Sequence, residues 1–519
     1  MLSLTNGQWS QNRLPTPIQI GLATFGILSL ELAFIRWSSG QIRVFAYFNN
    51  LVLISAFLGM GAGVALGKRY PGFVHWVLPM IFMTSVPFAF SETLNLVHMS
   101  FPDQSVALWG GEILTGGTMM YIKNLVTFIL IIFMIIVMFI FAGTPVGYLF
   151  GKIHPLKAYS ADLAGSIFGV AVFTIATRFN ANPLIWLLIG SAPFLLLSRK
   201  IFSLLTFIGV LVLGWHSIQG AWYSPYNRID MDFSTYSIRM KVNRDFHQYL
   251  HDLSDENLKV KERANHVKEK LQTLRKVYDL PFMVNDKRNR ALIVGAGTGN
   301  DVQGAIRNGY SKVFSVDIDG EIIRLGKLYH PEHPYENAKV LPVVNDARAF
   351  FEQYKGPKFD VVCYGFLDSH SMFSSMSSLR LDNFVYTEEG IRSAWEKVSD
   401  KGHLSLAISV YAGKWLFDRL YWTIAKATGK QPYVYYLDMH YAATFIVPKD
   451  EAQLHLGRVS SFPMIEPSNG IEEIRTTSDN WPYLYIRPET FPLGYLLVIG
   501  TVLVFGIIFG VTGIHIHPP

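Results

Sequence analysis

The sequence predicts a multi-pass α-helical membrane domain followed by a doubly wound α/β soluble domain. Three observations carry this. Apolar segments of spanning or near-spanning length fill the first 220 or so residues. Between Trp222 and Glu489 charge density rises, and helix and strand periods alternate. Within that stretch, ALIVGAGTGN (Ala291–Asn300) is followed by VFSVDID (Val313–Asp319): an apolar run, a glycine turn, a helix, and a second apolar run closing on carboxylates. The predicted division is 1–220 membrane domain, 221–490 soluble domain, and 491–519 a C-terminal transmembrane helix.

The apolar segments run roughly 18–37, 44–66, 73–90, 124–150, 158–177, 183–198 and 201–219, with an isolated eighth near 492–514. The whole chain of 519 residues is 50% hydrophobic and only 16% charged, which fits a part-membrane protein. The first run holds Glu31 and ends at Arg36 without a small-residue cleavage site, so it reads as a first transmembrane helix. Gly59, Gly63 and Gly67, and again Gly165 and Gly169, repeat every four residues, a spacing that lets helix backbones approach closely. Glu31 and Asp162 lie deep enough that each is expected to have a partner or to face a polar cavity, because a charge at the bilayer centre costs roughly 2.5–3.5 kcal/mol. Arg36 is expected to snorkel at a helix end. The basic pairs Lys68/Arg69, Lys152/Lys157 and Arg199/Lys200 fall in alternate loops, which should then be cytoplasmic. Seven spans would place the soluble domain outside, whereas an adenosyl cofactor is cytosolic. A cytoplasmic domain at the cell (inner) membrane is the expectation, with one segment not spanning. The net charge of +6 is assigned to loop cations; no basic–aromatic stripe points to nucleic acid. Cys363 is the single cysteine, so neither an intramolecular disulfide nor a cysteine-based metal cluster is available. His515-x-His517 lacks further ligands, and no metal site is predicted.

In the soluble domain, 222–253 reads as strand-like pieces and Ser254–Tyr278 as an amphipathic helix. Strands follow near 291–295, 312–317, 339–344, 359–364 and 403–409, and helices near 300–308, 319–329, 347–354 and 387–399. Such alternation implies a parallel sheet with right-handed crossovers. Segments near 432–437 and 442–447 are expected to close it as antiparallel edge strands.

The turn carries Gly295, Gly297 and Gly299, with Asp301 just after it; the second strand ends at Asp317, and the third at Asn345-Asp346-Ala347. Glycines allow close backbone approach, Asp317 can hold ribose hydroxyls, and Asp346 can accept from an adenine amino group or cap the next helix. Three signals closing successive strands favour an adenosyl sulfonium over a dinucleotide. These six residues are the predicted cofactor-binding set, with S-adenosylmethionine or its decarboxylated form as co-substrate. The fourth strand ends in YGFLDSH, and the polar segment Ser371–Thr387 that follows is too long for a tight connection, so it is expected to form a lid or acceptor pocket. Asp368, His370, Arg380, Asp382 and Tyr386 are placed around the acceptor. Asp368 or His370 takes a proton and Asp382 holds a cation.

With the VGAGTGND turn, Glu31-x4-Arg36, FLGMGAG at 57–63, Tyr159-x2-Asp162-x2-Gly165 and the late run Thr477–Tyr485 (TSDNWPYLY), the chain resembles membrane-fused spermidine synthase-like proteins. Residues 222–490 resemble the spermidine synthase branch of the S-adenosylmethionine-dependent transferases. The resemblance implies a Rossmann-like, class I methyltransferase-type soluble domain. It also implies nucleoside binding by Gly295, Gly297, Gly299, Asp317 and Asp346, and by analogy a homodimer. In that branch the fourth strand ends in Asp-x-x-Asp-Pro, the first Asp helping to deprotonate the attacking amine. Here that position is Gly365, Asp368 is the remaining acid, and Ser369 replaces the proline. The departure argues against ordinary putrescine aminopropylation. The expected function is a membrane-anchored methyl or aminopropyl transferase acting on a polyamine, lipid or membrane-associated acceptor. The alternative is a transporter or sensor with a non-catalytic nucleoside-binding domain.

Overall fold

The computed structural model describes residues 14–99, 117–234, 237–260, 264–367, 383–410, 413–437, 442–468, 470, 474–485, 496, 499–501 and 503–508. Among the described residues, its first part is a bundle of eight helices: α1 (Thr16–Gln41), α2 (Arg43–Tyr47), α3 (Asn49–Leu66), α4 (Val77–Ala89), α5 (Gly117–Phe150), α6 (Pro155–Arg178), α7 (Pro183–Ser198) and α8 (Ile201–Ser217). All seven expected N-terminal segments are helical. The segment expected at 44–66 is broken at Phe48, whose backbone leaves the helical region and separates the short α2 from α3. Helix starts follow local chemistry. Pro155 and Pro183 sit at first helical positions, preceded by His154 and Asn182, whose side chains accept from Leu156 N–H and Ile185 N–H.

Among the described residues, four helical stretches are long and apolar enough to cross a membrane: Thr16–Gln41, Pro71–Ala89, Ile122–Phe150 and Pro155–Arg178. The helices at Asn50–Leu66, Pro183–Ser198, Ile201–Ser217 and Ile499–Ile508 are apolar but shorter. The glycine spacing works as expected. Gly59, Gly63 and Gly67 face the α5 backbone at Ile136, Ile140, Gly143 and Gly147, and Gly165 and Gly169 of α6 face Gly21 and Phe25 of α1. Asp162 lines a cavity of about 660 Å³ whose wall is mostly apolar, with Thr24, Lys68 and Ser166 as its other polar members, rather than the polar cavity expected. Glu31 is buried, and no described residue pairs with its carboxylate. Arg36 departs from expectation. It does not snorkel: it donates to Thr177 Oγ1 at 3.0 Å and to the Ser224 carbonyl at 2.9 Å, and lies 4.5 Å over the Trp186 ring. A guanidinium with acceptors at hand inside the fold has no need to reach solvent.

Next comes a small antiparallel sheet of β1 (Ala221–Tyr223), β2 (Arg228–Phe233), β3 (Ile238–Val242) and β4 (Asp245–Leu250), in sequence order. It stands between the bundle and the larger domain. Arg43 pairs with Asp245 at 2.7 Å and Arg244 pairs with Glu92 on one side, while Trp222 and Phe233 pack on Tyr329 on the other.

The helix expected at Ser254–Tyr278 is two helices, α9 (Asp255–Leu258) and α10 (Asn265–Met283); Ser254 caps the first by accepting from Asn257 N–H. The alternating run is β5 (Arg290–Val294), α11 (Asn300–Arg307), β6 (Lys312–Asp317), α12 (Gly320–Tyr329), β7 (Val340–Val344), α13 (Ala347–Gln353), β8 (Phe359–Tyr364), α14 (Glu388–Glu396) and β9 (Val398–Ser409). It ends with α15 (Lys414–Thr428), β10 (Tyr433–Leu437) and β11 (Ala442–Pro448). The helix expected to reach 399 stops at Glu396 because Val398 already pairs with Phe359. The sheet order is β10-β11-β9-β8-β5-β6-β7; β9 to β7 are parallel, and β11 and β10 close the edge through antiparallel pairings, as predicted, with β11 alone reversed in direction. Alternate β5 residues feed opposite cores: Leu292 and Val294 pack with Phe351 and Tyr364, Ala291 and Ile293 with Val302 and Cys363. Helix α15 escaped the sequence reading; its Leu416, Phe417, Leu420 and Ile424 recur at helical spacing and cover the sheet.

The α3–α5 seam predicts a graded response. A Cβ on Gly63 or Gly147 would run into the Ile140 or Val64 carbonyl, whereas one on Gly61 meets nothing within 4 Å. Gly63→Ala and Gly147→Ala are expected to cost about 1–3 kcal/mol as overpacking, and Gly61→Ala to be neutral or stabilising. Thermal melts of the purified full chain check this; equal effects at all three sites would refute the close-packing account.

Candidate functional site

The glycine turn leaves β5 with its backbone at positive φ: +68° at Gly295 and +55° at Gly297. A side chain at Gly297 would also meet the Gln248 amide, so only glycine satisfies both conformation and space there. The turn is fastened from three sides. Gly295 N–H and Ala296 N–H donate to the Val316 carbonyl, at 2.9 and 3.1 Å. Gly297 N–H donates to Asp317 Oδ2 at 2.8 Å, and the buried Tyr335 hydroxyl donates to the Gly297 carbonyl at 2.7 Å. Thr298 Oγ1 donates to Gln248 Oε1 at 3.1 Å, bringing β4 over the turn. Gly299 forms the N-cap of α11.

Asp317 ends β6 and remains partly accessible. Its second oxygen, Oδ1, accepts from Asp319 N–H at 2.9 Å. Desolvation pushes its pKa up to about 6, against the lowering effect of those amide donors. Each carboxylate oxygen keeps a lone pair, which suits ribose hydroxyls. Asp319 caps α12 through Oδ1, while its Oδ2 accepts from Ser224 Oγ at 2.6 Å and Asn227 Nδ2 at 3.2 Å. Asp346 also caps its helix, accepting from Ala349 N–H at 2.9 Å through Oδ1; its other oxygen is free for an amino group.

Asp301 is placed differently from the other predicted binders. It lies in the first turn of α11 with its carboxylate against Gly365 at the end of β8, only 8% exposed, and burial pushes its pKa up to about 7.

Of the residues predicted around the acceptor, Asp368, His370, Arg380 and Asp382 lie outside the described residues. Tyr386 is described and does not line an open surface. It ends a 3₁₀ turn (Asn383–Tyr386), is 0% exposed, and packs 6.1 Å from the Tyr364 ring, with its carbonyl accepting from Thr477 Oγ1 at 2.6 Å. An aromatic between two sheet helices gains more from core burial than from a wet pocket. The residues that sequence reasoning missed are Gln248, Tyr335 and Ser224. Gln248 and Tyr335 reach the turn, and Ser224 reaches Asp319, each from a distant element, and nothing in its local pattern marks it. Asp479, in a motif quoted above without a role, accepts from Arg348 at 2.7 Å and from Thr387 Oγ1 at 2.8 Å, tying α13 to the start of α14.

Residues 273–405 match the family model of the spermine/spermidine synthase domain. The chain carries a spermine/spermidine synthase domain. It spans α10 through most of β9 and so holds the glycine turn, Asp301, Asp317, Asp346 and Gly365. The helical bundle and the small sheet precede the synthase domain. Over about half of its length the chain is similar to solved structures, among them three spermidine synthases or probable spermidine synthases. A spermidine synthase from Thermotoga maritima has 12% identity and TM-score 0.36, covering 54% of this chain and 86% of that one. A spermidine synthase in complex with the transition state analogue AdoDATO has 13% identity and TM-score 0.35, with the same coverage of 54% and 86%. A probable spermidine synthase from Corynebacterium glutamicum ATCC 13032 has 14% identity and TM-score 0.33, covering 45% and 80%. No curated protein matches the chain.

Asp301 gives the synthase domain a pH signature. Its folded pKa of about 7 lies above the ordinary 3.8, so the folded state keeps a proton that the unfolded chain has lost. Its contribution is most favourable below about pH 4 and is lost as pH rises to 7. Asp301→Asn is expected to be near neutral at pH 4.5 and stabilising by on the order of 3 kcal/mol at pH 8. Unfolding midpoints of both proteins at the two pH values test this, and parallel pH profiles would rule it out.

Proposed function

We propose that the chain is a membrane-anchored aminopropyltransferase that takes its aminopropyl group from decarboxylated S-adenosylmethionine. The acceptor is an amine on a polyamine, a lipid or a membrane-associated molecule. One observation carries the reading: the matched synthase domain contains a turn of fixed amides beside the partly accessible Asp317, with Asp346 closing the next strand. Family membership of this segment implies decarboxylated S-adenosylmethionine as donor. The residues fit an adenosyl group, since Asp317 and Asp346 both keep acceptor capacity at the carboxyl ends of adjacent strands.

In the proposed reaction, the acceptor nitrogen forms a bond to the carbon on the donor sulfonium. The carbon–sulfur bond breaks, its electron pair stays on sulfur, and methylthioadenosine leaves. The nitrogen then releases one proton, which Asp368 or His370 takes. The sulfonium is already activated, so alignment supplies much of the rate, worth up to about 7–11 kcal/mol in well-oriented systems. Asp317 and Gly297 contribute by fixing the nucleoside.

Membrane anchoring draws support from the four long apolar helices and from large apolar side chains exposed on α6, among them Leu163, Ile167, Phe168 and Ile175. The donor is a cytosolic metabolite, so the synthase domain is placed on the cytoplasmic side. A second reading has a specific motive: the cavity bordered by Asp162 and Lys68 suits a transporter or sensor whose synthase domain binds a nucleoside without turnover.

Incubation with an amine panel and each sulfonium donor, followed by mass spectrometry of the spent donor, tests the proposal. Methylthioadenosine is expected, with Asp317→Ala lowering donor affinity at least about tenfold through lost charged hydrogen bonds. S-adenosylhomocysteine would replace aminopropyl with methyl transfer. Substrate flux into liposomes with no transfer product would favour the transporter.

A further inference from the structure

Helices α3 and α6 both pack on α1, and the cavity of about 660 Å³ lies between them. On the α3 side Phe57, Gly61 and Val64 line it and are exposed. A Cβ on Gly61 would meet nothing within 4 Å, so the cavity is open at that position. Its polar groups gather on the other side. Asp162 and Ser166 stand one turn apart on α6, and Thr24 Oγ1 donates to the Asp162 carbonyl at 3.1 Å. The Asp162 carboxyl has no hydrogen-bond or ion-pair partner among the described residues, and neither of its oxygens is sealed off.

An unpaired acid inside a span is expensive, and a cation relieves it. Lys68 lines the same cavity but forms no ion pair with Asp162. Its Cε lies 3.5 Å from the Cβ position of Gly151, in the connection between α5 and α6, whereas Asp162 is well inside α6, about 10 Å deeper by helical rise. Lys68, Arg69 and Lys152 form an exposed rim there, the last two over the rings of Tyr70 and Tyr148. Water and salt screen such charges over about 10 Å. Helix dipoles do not choose the sign, because α3 and α5 end on this side while α1 and α6 begin there, and their fields offset. One carboxyl in a mostly apolar wall suits a metal ion poorly. It suits an amine on an alkyl chain. An ammonium has three N–H donors, and the Asp162 carboxylate and the hydroxyl oxygens of Thr24 and Ser166 offer acceptors. Leu28, Phe57 and Met60, deeper along α1 and α3, offer an apolar wall for the chain.

We propose that this cavity binds a lipid-soluble primary amine, its ammonium on Asp162 and its chain along the apolar wall, entering from the bilayer rather than past the cationic rim. The site is separate from the glycine turn. Asp162 lies about 24 Å by helical rise from Arg178, the end of α6 nearest the synthase domain, where Asn180 meets Glu321 of α12. It stands whether or not the transfer reading holds.

Decylamine and decanol share a chain and differ in charge, so they serve as probes. Each is titrated into the full chain in micelles of a neutral detergent, and bound ligand is counted by native mass spectrometry. Decylamine is expected to saturate and to bind at least about tenfold more tightly than decanol, through its charged hydrogen bonds. Asp162→Asn keeps the shape and should bring the amine down to the level of the alcohol. Gly61→Leu fills the open side and should weaken both ligands about fivefold or more. Unfolding midpoints check that both variants are folded, and the two-ligand comparison on the unaltered chain decides by itself. Equal binding of amine and alcohol marks an unselective lipid groove and overturns the proposal. So does a lack of saturable binding, or an amine preference that survives in folded Asp162→Asn.

Discussion

The Asp317 carboxylate closes the glycine turn, and the rest of the site is arranged around it. One oxygen takes Gly297 N–H and the other Asp319 N–H, so a single side chain fixes the backbone on both β5 and β6. Hydrogen bonds to a charged group contribute about 1.5–3 kcal/mol each, enough to hold a left-handed turn in one conformation. The fixing extends outward. Asp319 is held by Ser224 and Asn227, and the Ser224 carbonyl is held by Arg36 of α1. Consecutive hydrogen bonds therefore run from the helical bundle to the glycine turn, through the connection between β1 and β2.

Much of this was legible in the sequence because it depends on local pattern. Strands β6 and β8 fall where apolar runs end at Asp317 and Tyr364, and the glycines at 59, 63 and 67 announce a close helix contact without naming α5 as its partner. What stayed hidden depends on tertiary pairing. Gln248 reads as an unremarkable polar position in a strand, and only the fold brings it onto Gly297. Arg36 reads as a helix-end cation, since about 140° of helix separates it from Glu31, and nothing local reveals that Ser224, 188 residues later, supplies its acceptor. Tyr386 misled for a related reason. A tyrosine closing a polar segment looks like an active-site hydroxyl, but Thr477 draws its backbone into the core.

The segment between β8 and α14 is tethered at both described ends. At its start, Leu367 packs against Gly295 of the glycine turn. At its far end, Thr477 holds Tyr386, while Asp479 holds Thr387 and reaches Arg348 of α13, the helix that Asp346 caps. Both anchors lie at the carboxyl ends of the parallel strands, where ligands of such sheets bind. The late Thr477–Asp479 motif thus ties the end of the segment between β8 and α14 to the helix after the third parallel strand.

Gly365 can be understood in the same spatial terms. Its Cα faces the Asp301 carboxylate so closely that any side chain at 365 would occupy the same volume. An acid at the end of β8 and an acid at the start of α11 are therefore mutually exclusive in this backbone. The strand end has not simply lost a carboxylate: one is present beside it, supplied by the neighbouring helix and kept in a drier setting that holds its pKa near 7. Restoring Asp at 365 alone would force two carboxylates into a space shaped for one, at a cost in like-charge repulsion and overpacking. Glycine at 365 is thus as much a packing consequence of Asp301 as a feature of the reaction, and positions 301 and 365 have to be changed together for either to be understood.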